Sequence, residues 1–393
     1  MSSRSRERDR LIAAYQDRFI DMLRIYRALD SAGLEDAFRA TPRHRFVHHY
    51  LDTRRPKPRM VRVDPQRPSV AQLERIYRNE SLTTHRPPGP LSTISQPSLV
   101  GQMLGHLRLR PGMNVLEVGA GTGWVASLIG HLVGRTGSVT TLEVHASVAR
   151  AARRAVAAAG RDNVTVVTGD GALGHPQTAP FDRIVTSVGS PEVFGAWVDQ
   201  LKVGGALLLP LQAFPHGHFC LLADLRKSGE HLAGDVIGPT WFIRLEGRRG
   251  RSDKAESQTC ELFRCATGAR RRRRYLAPWA CVHRGARPFY RASFLLMAYL
   301  EGMRVDQDEK SVLVTSRQSE GFCLLSDGHV QVLGDAAIYD EFDRVSRQWL
   351  ALGTPGANRY RIEVWPKHAR KRRPRHGWLV SRDHSLLVFR LKA

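Results

Sequence analysis

Short apolar runs alternate with amphipathic helical patterns through the middle of the chain. Between Gln96 and about Leu245, the apolar runs predict strands at Val115–Val118, Ser138–Leu142, Val164–Thr168, Ile184–Thr186 and Ala206–Pro210. Helical patterns lie between them at Gly123–Val133, Ala146–Ala159 and Phe194–Leu201. Strands that alternate with helices in this way are typical of a parallel sheet with helices on both faces. The sequence therefore predicts an α/β core.

The segment before this core carries a different pattern. Residues 7–40 place apolar positions at helical spacing among charges, which predicts one or two amphipathic helices. Pro- and Arg-rich stretches at Arg54–Pro68 and Arg86–Pro90 predict loops. We therefore assign residues 1–95 to an N-terminal helical and loop segment and residues 96–249 to the α/β core.

The pattern changes again after Gly247. Residues 248–287 are rich in Arg, which predicts a linker or a basic surface. The two helices and five strands predicted beyond them are Phe289–Leu300, Ile338–Leu352, Ser311–Thr315, Gly321–Leu325, His329–Leu333, Arg361–Val364 and Leu386–Leu391. We assign residues 250–393 to a smaller C-terminal α+β domain.

Composition narrows the class of protein. With 393 residues and 42% hydrophobic positions, the chain is long and apolar enough to bury a core in two domains. No apolar run reaches the length of a transmembrane helix, and the charged N-terminus leads into no secretory h-region. We therefore expect a cytoplasmic protein without a membrane partner. The net charge of +23 attracts polyanions in general and names no partner by itself, because a GC-rich genome also enriches Arg.

The cysteine spacing does not match a metal site or a disulfide framework. The five cysteines form no C-x-x-C pair, and their odd number argues against structural disulfides. Cys260, Cys265 and Cys281 with His283 come nearest to a metal cluster, yet their spacing fits no standard zinc finger. The sequence therefore predicts no metal.

A glycine-rich turn carries the strongest chemical signal. Residues 114–124, NVLEVGAGTGW, form an apolar strand with Glu117 near its end and then turn into a helix. The glycines allow a ligand to approach the backbone closely. Their spacing is G-x-G-x-G, and Trp124 occupies the position where a dinucleotide fingerprint requires glycine. This spacing disfavours NAD.

Two further strand ends supply carboxylates. Glu143 lies 20 residues after Gly123, where a carboxylate can accept both ribose hydroxyls of a nucleoside. Asp170 and Gly171 follow the third strand, where a polar side chain can bind an adenine amino group. Each carboxylate alone fits a solvated strand end or a helix cap equally well. Together they predict the S-adenosylmethionine (SAM) site of a class I, Rossmann-like methyltransferase. The predicted cofactor residues are Glu117, Gly119, Ala120, Gly121, Gly123, Glu143, Asp170 and Gly171.

Residues about 10–247 resemble the protein-L-isoaspartate O-methyltransferase family. The motifs specific to this family are PRHRFV at residues 42–47 and TISQP at residues 93–97. Further matches are GDGALG at 169–174, APFDRI at 179–184, QLKVGG at 200–205 and WFIRL at 241–245, the last for the family's closing strand. The resemblance implies SAM as cofactor and a carboxyl group as methyl acceptor.

Two departures from the family pattern lie on the acceptor side. Ser98 follows Pro97 where the family usually carries His or an aromatic residue, and the family's G-A-A-x loop appears as Ser187–Pro191. These changes and the residues after 250 resemble a subgroup that methylates Asp in ribosomally made peptides of the graspetide, lanthipeptide or lasso type. This resemblance implies an acidic, macrocyclised precursor peptide as partner, recognised by the C-terminal domain. The alternative is repair of isoaspartyl residues in damaged proteins.

The implied chemistry needs no general base, because a carboxylate with a pKa near 4 is already ionised at neutral pH. Its oxygen takes the methyl group, and the ester can then cyclise to a succinimide (aspartimide) that hydrolyses partly to isoaspartate. The resemblance places Ser95 beside cofactor and acceptor as the catalytic residue, where its hydroxyl orients the carboxylate. The alternative for Ser95 is a cap for the helix that opens at Gln96.

Other features have structural explanations at least as good as functional ones. His44, His48 and His49 are expected to be packing or surface residues rather than acceptor ligands. Phe194 and Trp197 are expected to pack a helix onto the sheet.

The basic runs Arg270–Arg274 and Lys367–Arg375 fit an acidic peptide or a solvated face equally well. Nucleic acid is not expected, since the chain has no D-P-P-Y or N-P-P-Y motif for amino methylation and no catalytic cysteine pair. A non-enzymatic scaffold role of the C-terminal residues also stays open.

Overall fold

The computed structural model describes residues 3–54, 56–86, 88–214, 219–247, 272–278, 280, 287–307, 312–325, 328–369 and 376–392. The chain divides into two compact units. The first comprises Met1–Ser187 and Asp199–Leu208, and the second comprises Val188–Val198 and Leu209–Ala393. The boundary predicted at residue 250 falls outside the described residues, so the domain limits stay a prediction.

The first unit contains six helices and eight complete strands among its described residues. The helices are α1 (Ser3–Ile25), α2 (Ala32–Ala40), α3 (Val70–Ile76), α4 (Pro97–Leu107), α5 (Trp124–Val133) and α6 (Ala146–Ala158). The strands are β1 (His49–Asp52), β2 (Arg59–Arg62), β3 (Leu82–His85), β4 (Ser92–Ile94), β5 (Asn114–Val118), β6 (Ser138–Glu143), β7 (Val164–Thr168) and β8 (Phe181–Thr186). Helix α7 (Gly195–Gln200) and strand β9 (Leu201–Gln212) have residues in both units.

A parallel sheet forms the core of the first unit. Strand β5 pairs with β6 and β8, β6 pairs with β7, and β8 pairs with β9, all in parallel. Val115, Leu116 and Val118 are at most 1% exposed, because helices cover both faces of such a sheet. The α/β class predicted from the sequence is confirmed, and each predicted core strand lies within an observed one.

Local sequence signals explain several helix ends. The hydroxyl of Ser31 accepts a hydrogen bond from the Leu34 N–H at the start of α2. Ser69 and Gln72 form a reciprocal capping box at the start of α3. Pro97 occupies the first position of α4, where its missing N–H costs no hydrogen bond.

The second unit adds two helices and ten strands among its described residues. They are α8 (Arg287–Leu300), α9 (Ala337–Ala351), β10 (Phe219–Ser228), β11 (His231–Trp241), β12 (Arg272–Leu276), β13 (Arg304–Gln307), β14 (Val312–Thr315), β15 (Phe322–Leu325), β16 (His329–Leu333), β17 (Tyr360–Pro366), β18 (Trp378–Ser381) and β19 (Ser385–Leu391). One antiparallel sheet has the order β12-β16-β15-β14-β13. The other antiparallel series is β10-β11-β17-β19-β18, in which Leu232 of β11 faces Val364 of β17.

Several strands were not predicted. Arg59–Arg62 forms β2 inside the predicted loop Arg54–Pro68, and Arg272–Leu276 forms β12 inside the predicted linker. The hairpin β10–β11 and the edge strands β13 and β18 were also missed. Both β2 and β12 are rich in Arg and become strands through pairing with β1 and β16, which no local apolar pattern reveals.

In the described part of the chain, no helix is both long and apolar enough to cross a membrane. The cytoplasmic location stays a prediction.

Candidate active site

The glycine-rich turn joins the end of β5 to the start of α5. Gly119, Gly121 and Gly123 all have positive φ, at 97°, 51° and 81°. A side chain at Gly123 would bring its Cβ to 2.8 Å from Cγ2 of Val156, and one at Gly121 would lie 3.3 Å from the carbonyl oxygen of Thr93. The turn is therefore restricted to glycine at these positions by both backbone conformation and space.

Hydrogen bonds fasten this turn to the neighbouring strand. The N–H groups of Gly119 and Ala120 donate to the carbonyl of Leu142 at 2.9 and 3.0 Å. The Glu143 carboxylate accepts from the Gly121 N–H at 3.0 Å and from the His145 N–H at 3.1 Å. Glu143 is only 7% exposed, so its carboxylate is held beside the turn, where a ribose could reach it.

Glu117 is fully buried at the end of β5. Its carboxylate accepts hydrogen bonds from the hydroxyls of Thr141 at 2.7 Å and Ser187 at 2.8 Å. Burial raises the pKa of Glu117 to about 7, although both hydroxyls favour the ionised form. A carboxyl group that can change charge near neutral pH therefore lies directly under the glycine-rich turn.

Asp170 follows β7, as the sequence predicts. Its Oδ1 accepts from the Ala172 N–H at 3.0 Å, so it caps the short helical turn that begins at the buried Gly171. The Gly169 N–H donates to the carbonyl of Glu143 at 3.0 Å, which brings the Asp170 loop to the end of β6. The structure therefore gathers the predicted cofactor residues along one edge of the parallel sheet.

Ser95 lies between β4 and α4 and is half-buried. The alternative that Ser95 caps the helix is wrong, because Gln96 occupies the cap position and no side chain caps the helix there. The Ser95 carbonyl accepts from the Arg43 guanidinium at 2.9 Å. This contact fixes the backbone of Ser95. The Ser95 hydroxyl does not cap helix α4.

Arg43 is a positioning residue that sequence reasoning missed. Its buried guanidinium donates to five backbone carbonyls, those of Ile76, Arg78 (3.2 Å), Glu80 (2.8 Å), Ile94 (3.4 Å) and Ser95 (2.9 Å). Burial lowers the pKa of Arg43 to about 9. Arg43 lies in the PRHRFV motif, and this motif is the sequence feature that could have pointed to its role.

The Trp124 side chain explains why the third glycine of a dinucleotide fingerprint is absent. Its ring lies 5.4 Å below the Arg43 guanidinium, and its indole N–H donates to the Thr41 carbonyl at 3.1 Å. Trp124 is 1% exposed, so it serves as a core residue that joins the turn to the PRHRFV segment.

The expectation that His44 is a packing residue is confirmed. His44 is 2% exposed, its Nδ1 lies 2.6 Å from the Tyr77 hydroxyl, and burial lowers its pKa to about 4. Phe194 and Trp197 are both buried and contact each other with ring centroids 5.0 Å apart, in agreement with a packing role.

Ser98, one of the two departures from the family pattern, is 5% exposed. Its N–H donates to the Asn79 side chain at 3.0 Å, which ties the first turn of α4 to the loop after α3. Cys260, Cys265, Cys281 and His283 lie outside the described residues, as do parts of the two basic runs.

Comparison with known proteins agrees with these observations. The family model described as protein-L-isoaspartate(D-aspartate) O-methyltransferase (PCMT) matches residues 14–250. The chain is 36% identical over 233 residues to a protein-L-isoaspartate O-methyltransferase of Pyrococcus horikoshii, covering 59% of this chain and 93% of that protein. A Brucella anthropi protein of the same name is 37% identical over 161 residues, or 41% of this chain and 72% of that protein.

A solved structure named protein-L-isoaspartate O-methyltransferase shares the fold. It has a TM-score of 0.53 and 24% identity, and the alignment covers 88% of this chain and 96% of that one. The similarity in fold therefore extends beyond residue 250, where the family match ends.

The residues at the sheet edge fit SAM. The turn at Gly121 has no room for a side chain beside the Thr93 carbonyl, and the carboxylates of Glu143 and Asp170 are acceptors for hydroxyl and amino groups. Together with the family match over well more than half of the chain, this identifies the chain as a member of the protein-L-isoaspartate O-methyltransferase family, a SAM-dependent protein carboxyl O-methyltransferase of the isoaspartate type.

Proposed function

We propose that this protein methylates the side-chain carboxylate of L-isoaspartyl residues in proteins or peptides. The observation that supports this most is the 36% identity to the Pyrococcus horikoshii relative across 93% of that protein. The family match over residues 14–250 includes the PRHRFV and TISQP motifs. The arrangement around the glycine-rich turn supports it too, because every predicted cofactor position lies at one sheet edge.

In this proposal, the eight predicted positions hold the cofactor. Glu143 accepts hydrogen bonds from the ribose and Asp170 accepts one from the adenine. The backbone of Gly119, Ala120, Gly121, Gly123 and Gly171 and the carboxyl of Glu117 line the rest of the site. The bound cofactor supplies an electrophilic methyl group on a sulfonium.

Ser95 orients the acceptor in this proposal. Its hydroxyl donates a hydrogen bond to one oxygen of the acceptor carboxylate, while the other oxygen forms the bond to the methyl carbon as the carbon–sulfur bond breaks. No proton is transferred, since the acceptor is already ionised at neutral pH. The contribution of the chain is alignment and exclusion of water, and Arg43 holds the Ser95 backbone in place for that purpose.

A matched pair of peptides tests the proposal. Two linear peptides that differ only in L-isoaspartate or L-aspartate at one position would be incubated with SAM and followed by mass spectrometry. We expect a mass gain of one methylene on the isoaspartyl peptide alone, followed by loss of methanol as the succinimide forms. Absence of ester on the isoaspartyl peptide would overturn the proposal.

A second candidate is maturation of a ribosomally made peptide through Asp esterification. The observation that favours it is that the family match ends at residue 250. Strand β17, which lies beyond that point, pairs with β11 and so extends the β10–β11 hairpin. The support is weaker than for the first candidate, because the similarity to the solved isoaspartate methyltransferase covers 88% of the chain in fold. Methylation of an acidic precursor peptide only after ring formation, with no turnover of the linear isoaspartyl peptide, would favour this candidate.

A further inference from the structure

A pocket of about 780 Å³ lies beside the glycine-rich turn in the first unit. Its walls come from five places: the segment before and within β1, strand β2 and the loop after it, the end of β3, the glycine-rich turn, and the first three turns of α6. The side chains of His48, His49, His85, Arg62 and Arg154 line it. Of the described residues that line the pocket, Gly121 alone belongs to the predicted cofactor set.

The pocket is strongly basic. Asp64 is the one acidic residue among the described residues that line it, and its Oδ1 accepts from the Gln66 N–H at 2.9 Å. Arg62 and Arg154 are exposed, and no carboxylate in the described part of the chain forms an ion pair with either. Two arginines therefore line one concave space with little compensating charge.

The imidazoles of His48 and His85 add polar surface rather than full charge at neutral pH. The pKa of His48 is lowered by partial burial, then by His49 and Arg154, and raised by Asp64. The pKa of His85 is lowered by partial burial, then by His49 and His145. Because both shifts are downward, the arginines carry most of the positive charge near pH 7.

The pocket adjoins the proposed methyl-transfer site through two shared walls. Gly121 lines it and also donates its N–H to Glu143. Thr84 lines it as well, and its hydroxyl donates to the Ser92 carbonyl at 3.2 Å, in the strand β4 that leads directly to Ser95. A group bound here therefore lies next to both the glycine-rich turn and the hairpin that positions Ser95.

We propose that this pocket binds a second carboxylate of the acceptor, namely the acidic side chain of a residue close in sequence to the one that is methylated. This inference rests on the proposed function and names its substrate class: isoaspartyl peptides with an acidic neighbour. The volume lies in the range of pockets that hold a whole small ligand, so it has room for the acidic side chain together with adjoining residues of the peptide. A nucleic-acid backbone fits less well, because the cations surround one concavity instead of following an extended groove.

Two isoaspartyl peptides that differ only in Glu or Gln beside the acceptor residue test this inference. For the unaltered protein at pH 7, we expect kcat/KM to be roughly tenfold higher for the Glu peptide, since two charge-assisted contacts to exposed arginines are involved. The double variant Arg62→Gln/Arg154→Gln should raise KM for the Glu peptide to that of the Gln peptide. Its kcat and its affinity for SAM, measured by calorimetry, should not change.

The matched control is Arg59→Gln/Arg150→Gln. Arg59 lies on the same strand as Arg62, and Arg150 lies on the same helix as Arg154, and both are exposed but do not line the pocket. This control removes the same charge and should retain the preference for Glu. An equal loss in both double variants would overturn the inference in favour of a general field effect.

Binding of the same peptides, followed by fluorescence anisotropy, separates the two proposals because it needs no turnover. If neither peptide is methylated but the Glu peptide binds more tightly in an Arg62- and Arg154-dependent way, the proposed function fails and the carboxylate pocket stands. If both peptides are methylated equally well, the pocket inference fails and the proposed function stands. Weakened SAM binding in Arg62→Gln/Arg154→Gln, or displacement of peptide by single-stranded RNA through the same arginines, would also overturn it.

Discussion

Each compact unit contains a buried arginine whose guanidinium donates hydrogen bonds to backbone carbonyls. The two arginines differ in the number of carbonyls that accept from them. In the first unit, the Arg43 guanidinium donates to five carbonyls and lies over Trp124. In the second, Arg382 donates to the carbonyls of Gln212 and Ala213 at 3.1 and 2.9 Å and lies 5.4 Å from the Tyr299 ring. Burial lowers the pKa of both.

This difference matches what each arginine positions. Arg43 holds the segment that contains Ser95, so a large part of the proposed active site depends on it. Arg382 holds the end of β9, and next to it the His384 N–H donates to the carboxylate of Glu192 at 2.7 Å. Residues after 250 therefore take part in fixing the segment that follows the Ser187–Pro191 loop, and are integral to the second unit.

Replacing Arg43 should have the largest effect. Arg43→Met leaves five backbone carbonyls, two of them in buried hydrogen bonds and three in part-buried ones, without this donor, and we expect a loss of about 4 kcal/mol in the free energy of unfolding. Urea denaturation monitored by circular dichroism measures it. Arg45→Gln, an exposed neighbour, is the control and should be near neutral. A small effect of Arg43→Met would mean that other donors or water satisfy these carbonyls.

Glu117 should make the stability of the first unit depend on pH, which gives a second way to compare the two units. Its pKa is about 7 in the folded protein against 4.5 for an unperturbed glutamate, so the folded state binds more protons than the unfolded state between these values. Stability should therefore fall by roughly 3 kcal/mol as the pH rises from about 4.5 to about 7.

The variant Glu117→Gln should flatten this slope in thermal melts recorded across the pH range. Burial also raises the pKa of Glu192 in the second unit, but Glu192 is less completely buried than Glu117, so Glu192→Gln should change the slope less. Equal slopes for both variants would remove this difference between the units.

Replacing Arg382 should cost less than replacing Arg43. Arg382→Met removes the donor of two carbonyls, and we expect a loss of about 2 kcal/mol, measured by the same denaturation experiment. Arg347→Gln, in an exposed ion pair with Asp343, is the control. If Arg382→Met costs more than Arg43→Met, the number of carbonyl partners is not what sets the cost.

Replacing Ser95 should have the smallest energetic effect and the most specific one. Ser95→Ala removes one proposed hydrogen bond to the acceptor, and we expect kcat for an isoaspartyl peptide to fall roughly tenfold. The SAM affinity and the stability should not change, whereas Ser95→Thr should retain most of the activity. Normal turnover by Ser95→Ala would remove Ser95 from the mechanism.

The first unit could be predicted well because its signals are local. Glu117, Glu143 and Asp170 each lie within two residues of the end of a different apolar strand, and the glycine-rich turn directly follows the first of these strands. Parallel strands bring their carboxyl ends to one edge, so this local order places the residues together. The role of Arg43 was missed although its motif was noticed, because its five acceptors lie 33 to 52 residues away.

The second unit was predicted less completely, since several of its strands depend on distant partners. Helix α8 and strand β16 carry apolar patterns of their own and were anticipated. Strand β12 is RRRYL and exists through its pairing with β16, more than 50 residues later. No window of sequence around Arg272–Leu276 contains that information.

The sequence by itself determined the α/β class and the family, because these follow from periodicity and from motifs whose parts are close in the chain. The cofactor residues that it indicates stay a prediction. Only the tertiary structure decided the burial of Arg43 and Arg382, the pairing of β17 with β11, and the basic pocket formed by Arg62 and Arg154. These features bring together residues far apart in sequence. The physical reason is that burial and charge density depend on the complete set of neighbours, which the chain acquires only when it folds.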